Sequence, residues 1–131
     1  MRLKGHEDGH GLTELCIVET MDDPHPVNGA YHSYGLKRLL DDEEKQSGAD
    51  LIYCGLVQFQ RGPRAGMNSD PAILDGAVLS ILIHRRECFQ AGPYACPENA
   101  KALEHLLAVR QLDKDRANER AARGALGKNV K

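Results

Sequence analysis

With 131 residues, a formal net charge of −2 and 41% hydrophobic residues, the chain has the make-up of one globular domain that buries about two-thirds of its unfolded surface. The near-neutral charge speaks against a protein that coats nucleic acid, which needs a basic footprint. No run of residues nears the ~20 apolar positions of a membrane-spanning helix.

The opening MRLKGHEDGHG is polar, and its glycines at 5, 9 and 11 spoil any helical pairing of His6 with His10, so residues 1–11 are expected as a flexible tail. The segment lacks the basic-then-apolar order of a secretory signal, which predicts an intracellular setting and reduced thiols at Cys16, Cys54, Cys88 and Cys96. The nearest of these, Cys88 and Cys96, lie too far apart for a Cys-x-x-Cys clip, and no metal or other cofactor is expected.

Residues 12–19, LTELCIVE, are apolar and β-branched and predict a strand. MDDPHPVNGA follows with two prolines and the Asn28-Gly29 pair, both residues tolerant of positive φ, which is turn chemistry. A second strand is predicted over 30–40 and a third over 51–60, separated by a charged loop; Gly55 marks a bulge in the third. Residues 61–70, RGPRAGMNSD, form a loop whose end starts a helix, with Ser69 or Asp70 as the cap and Pro71 in the first turn, where a missing N–H costs nothing.

Over 71–90 the positions Leu74, Ala77, Val78, Ile81, Leu82 and Cys88 follow helical spacing and predict one buried face, with Gly76 admitting another backbone. Gly92 and Pro93 end this helix and Pro97 opens the next, with Glu98 in its positive first turn. Leu103, Leu106, Leu107 and Leu112 are predicted to bury one side of the second helix, which outlasts its apolar face and stops at Gly124 and Gly127. The order is α+β: one domain with antiparallel strands over 12–69, a helical hairpin over 70–124 and a basic tail at 125–131.

Three features stand out chemically. Arg116, Arg120 and Arg123 stack on one helix face; they are either a solvated surface, with Glu119 to Arg123 a favourable spacing, or a set of planar forks for phosphate. Phe89, one of two phenylalanines in a chain without tryptophan, is either core or a stacking platform for a purine. Asn99 is either an ordinary first-turn polar residue or a donor-acceptor pair matching an adenine edge. No carboxylate pair, nucleophile-histidine pair or phosphate-cradling glycine loop occurs at readable spacing, so catalysis is not expected.

The stretches FQRGPRAGMNS, FQAGPYACPENAKALEHLLAV and DRANERAARG resemble the phage-encoded Thoeris anti-defence sponge proteins, whose C-terminal part is the helical hairpin shared with anti-CBASS sponges. The likeness runs over 51–124, with FQAGPYACPEN its most specific part; before residue 51 it is chiefly the aromatic segment at Tyr31 to Tyr34. The resemblance implies a non-enzymatic binder in the host bacterial cytoplasm that sequesters cyclic ADP-ribose isomers as a homodimer or hexamer, in some members with a second site for cyclic oligonucleotides. It assigns ligand stacking to Phe89, an amide contact to Asn99 and diphosphate contacts to Arg116 and Arg120, with Arg123 beside them. A second anion site is expected from Arg61, Arg64, Arg85 and Arg86. Relatives often end in Arg-Gly-Val-Glu-Gly-Thr, where this chain has Arg123-Gly124-Ala125-Leu126-Gly127-Lys128. The alternative is a phage accessory protein that binds nucleic acid through the arginine strip, and a third class is an enzyme that hydrolyses the nucleotide.

Overall fold

A computed structural model describes residues 1–44, 48, 50–61 and 72–124. The chain divides into two compact units, Met1–Arg61 and Gly62–Lys131. The layout is α+β, with a four-stranded antiparallel sheet first and two helices after it.

In the first unit β1 (Arg2–Leu3), β2 (Cys16–Thr20), β3 (Ser33–Leu39) and β4 (Leu51–Gln58) lie in chain order. The opening residues, expected as a tail, are tied down instead. Arg2 and Leu3 pair with Glu19 and Val18, and the terminal ammonium of Met1 donates to Thr20 Oγ1 at 2.9 Å. Two residues are too few to show a period-2 pattern, so this strand exists by virtue of its partner.

Between β1 and β2 the glycines at 9 and 11 adopt positive φ and turn their amides onto the Glu14 carboxylate, while Asp8 accepts from His10 N at 3.1 Å and Thr13 Oγ1 at 2.8 Å. A 3-10 turn, Thr13–Leu15, with Glu14 at its centre, stands where strand was predicted. Both carboxyls are held below their usual range, Asp8 chiefly by the His10 amide and then the Thr13 hydroxyl, Glu14 by its own amide and then that of Gly9. A depressed folded-state pKa stabilises above the ordinary carboxylate value and ceases to do so as pH falls through the lowered one. Acidification below about pH 4 should therefore loosen this turn, seen as movement of the Gly9 and Gly11 amide resonances in an NMR titration while those of β2 and β3 hold.

The β2–β3 loop closes with His25 N donating to Ala30 O and Gly29 N to His25 O, each at 2.8 Å. Only Gly29 uses positive φ (75°); Asn28 instead accepts from Ala30 N through Oδ1 at 2.9 Å. At the start of that loop Asp22 reaches across to the sheet. Its carboxylate accepts from His32 N at 3.1 Å, Ser33 N at 3.3 Å and the Arg61 guanidinium at 2.5 Å. Among the described residues Ile17, His32, Ser33, Gly35 and Leu40 are the buried ones of this unit.

The β3–β4 register slips between Leu36 and Lys37, which face Gly55 and Tyr53, leaving Cys54 as the extra residue. Gly55 sits at φ 154° beside it, as the sequence predicts for a bulge.

The second unit holds α1 (Asp75–Gln90) and α2 (Pro97–Ala122), packed against each other. The α1 cap is Leu74, extended and making no side-chain hydrogen bond, so the helix starts later than expected; the predicted caps Ser69 and Asp70 lie outside the described residues. The predicted apolar face is also displaced. Ile83 is fully buried and Leu79 partly so, whereas Leu74, Ile81, Leu82, Leu107 and Leu112 are exposed. A two-helix contact covers one narrow strip of each helix, and the strip chosen contains Leu79, Ile83, Leu103 and Leu106. Among the described residues nothing lies within 4 Å of where a Gly76 Cβ would be. Gly124 ends the second helical run at φ 71°, after the Arg123 cap, while Gly127 lies outside the described residues.

Candidate functional site at the helical corner

The corner between the helices is built by its sequence. The Ala91 amide caps α1 on Glu87 O; Cys96 opens α2 with its sulfur accepting from Asn99 N at 3.4 Å, and Pro97 fills the first turn.

Asn99 is the fastener. Its Nδ2 donates to Arg86 O and to Gln90 Oε1, both at 3.0 Å, and its Oδ1 accepts from Arg86 Nη1 at 3.0 Å. Both amide hydrogens and one lone pair of the oxygen are engaged with α1, which gives Asn99 a structural role at the corner where it also lines the groove. Asn99→Ala should cost about 1–2 kcal/mol of stability through the loss of three hydrogen bonds between the helices at a partly exposed site, and chemical denaturation of the full chain measures this.

Phe89 is 48% exposed and thus no core residue. The Arg85 guanidinium lies 5.7 Å from its ring centroid, a cation over an aromatic face. Leu82, Arg85, Arg86, Phe89 and Asn99 together line a groove of about 310 Å³. On its other side Phe89 helps line a smaller cleft of about 200 Å³ with Cys88, Gly92, Pro93 and Tyr94.

The arginine strip is elsewhere. Arg116 and Arg120 line a groove of about 610 Å³ at the open end of the hairpin, joined by Arg110, Lys114, Asp75 and Asp113. Arg123 pairs with Glu119 on the same helix, the bland outcome its spacing allowed. At 1.5 Å per residue, Asn99 and Arg116 are about 25 Å apart along α2. One chain therefore does not set Phe89 and Asn99 opposite Arg116 and Arg120, and the corner does not face them.

The second anion group also regroups. Arg85 and Arg86 belong with Phe89 and Asn99, Arg61 is spent on Asp22 in the sheet unit, and Arg64 lies outside the described residues. The signal was present in the sequence: Leu82, Arg85, Arg86 and Phe89 fall at i, i+3, i+4 and i+7, one helical stripe. Arg110 and Lys114, spaced i and i+4, were likewise readable as companions of the arginine strip.

Two guanidiniums beside a half-exposed ring can hold a flat anionic molecule, and the described residues lining the groove carry no carboxylate, hydroxyl, imidazole or thiol. Among the described residues no three histidine, cysteine or acidic side chains converge as a metal site would require, and no helix is long and apolar enough to cross a membrane. No protein-family model matches the chain, and no curated protein matches it significantly.

Proposed function

We propose that the protein is a phage anti-defence sponge that binds cyclic ADP-ribose-type signalling nucleotides without cleaving them and so blocks Thoeris-type bacterial immunity. The observation that carries this is the corner groove, in which Phe89, Arg85 and Arg86 converge on one stripe. A purine stacks on the Phe89 ring for about 1–3 kcal/mol. The ligand's diphosphate accepts charge-assisted hydrogen bonds from Arg85 and from the part of the Arg86 fork that Asn99 leaves over.

Arg116 and Arg120 contribute from a second copy. Because the two grooves lie at opposite ends of a hairpin, an antiparallel homodimer brings one chain's corner to the other's open end, and a hexamer repeats that contact. Enclosure between copies excludes water and strengthens each ionic contact.

The test is retention. Purified protein is incubated with each candidate signal, washed and denatured, and the released material is identified by mass spectrometry. An intact cyclic nucleotide in stoichiometric amount is expected. Release of hydrolysed product points to an enzyme instead, and capture of none of the signals overturns the proposal.

A further inference from the structure

We infer that Cys88 is a covalent modification site, a thiol that His84 deprotonates for exchange with small apolar or aromatic disulfides. The two residues stand i and i+4 on α1, the spacing that brings side chains of one helix face together, and Cys88 Sγ lies 3.6 Å from His84 Nε2. At that separation the thiol can donate to the ring nitrogen and then hand over its proton, the arrangement that makes a cysteine a nucleophile. Counted by its spacing into a buried face of α1, Cys88 is in fact exposed, and so is His84, which is why the pair went unread in the sequence.

The Cys88 side chain also lines the cleft of about 200 Å³ that Phe89, Gly92, Pro93 and Tyr94 complete. Two aromatic rings and a proline give this cleft apolar walls, and none of the described residues lining it is charged. Its volume falls below the roughly 300–1,000 Å³ of pockets for drug-sized ligands, so what it receives beside the sulfur is a small flat or apolar group. Other thiols have different neighbours. Cys54 Sγ faces the Ile52 carbonyl at 3.7 Å, and Cys96 Sγ accepts from Asn99 N as the cap of α2; neither neighbour can take a proton from sulfur.

In the exchange the thiol proton passes to His84 Nε2, Cys88 Sγ attacks one sulfur of the disulfide, and the reagent's own sulfur-sulfur bond breaks. The departing half leaves with the bonding pair as a thiolate and takes the proton back from the imidazolium. One thiol and one disulfide thus give one mixed disulfide and one thiol, with no further oxidant. This chemistry does not depend on nucleotide binding.

The reduced full-length chain is treated near neutral pH with one equivalent of 2,2′-dithiodipyridine, a small uncharged aromatic disulfide, then quenched in acid and digested with pepsin, and the pyridyl adducts are located by mass spectrometry. Cys88 should carry most of the adduct. His84→Ala should slow modification at Cys88 by about 10-fold, while the rates at Cys16, Cys54 and Cys96 and the circular dichroism hold. Should that variant fail to fold, His84→Gln, polar but unable to take the proton, replaces it. Adduct spread evenly over the four thiols, adduct chiefly at one of the other three, or a Cys88 rate indifferent to His84 overturns the inference.

Discussion

Phe89→Ala and Arg116→Ala should each weaken retention of a cyclic ADP-ribose-type ligand by about 10- to 100-fold, the loss of one stacked base or one charge-assisted contact. An equal mixture of the two variants should recover high-affinity binding in roughly a quarter of the pockets, because half of randomly formed dimers are mixed and each mixed dimer has one intact composite pocket of two. The expectation follows from the separation of the grooves. A pocket confined to one chain recovers nothing on mixing, and calorimetric titration of the mixture distinguishes the cases. Arg116 is the cleaner probe of the pair because its side chain is exposed, whereas Arg120 is half-buried and makes contacts within its own chain.

Asp22→Ala should be the most damaging single change in the sheet unit, costing about 2–3 kcal/mol, since it removes a partly buried acceptor of one charged and two backbone donors. The alanine leaves the His32 and Ser33 amides without their acceptor and the Arg61 guanidinium without its counter-ion. By comparison Lys37→Ala, which breaks the more exposed pair with Glu19, should cost less than about 1 kcal/mol. Urea unfolding followed by tyrosine fluorescence reports on the right unit, since Tyr31, Tyr34 and Tyr53 of the chain's four tyrosines lie there and tryptophan is absent. A midpoint shift for Asp22→Ala no larger than that for Lys37→Ala would refute the assignment.

What could be read from the sequence was what local chemistry decides. The second and third predicted strands declare themselves by β-branched and aromatic runs between turn residues, Gly55 by its place in a strand, and α2 by Pro97 after a non-helical cap. Long-range pairing hid the rest. Nothing near Arg2 announces that it will face Glu19, and nothing in MDDPHP says that Asp22 will meet Arg61 across the sheet. The helix faces went astray because leucine and isoleucine occur all round α1, so periodicity alone did not single out the strip holding Leu79 and Ile83.

The candidate site divides along the same line. Phe89, Asn99 and the arginines were found as residue types, yet their grouping depended on where the helices turn. Arg85 and Arg86 share the stripe of Phe89, while Arg116 lies more than four helical turns from Asn99 on the same axis. Asn99 illustrates the limit most clearly. Its two-sided hydrogen-bonding capacity was recognised, but its partners turned out to be Arg86 and Gln90.

That fastening has a price in discrimination. With Asn99 fastened to Arg86 and Gln90, the corner groove would meet the proposed ligand with a flat ring and positive charge, features indifferent to which purine arrives. Under the proposed function such a groove trades selectivity for breadth, and a changed base in the signal would weaken its retention little.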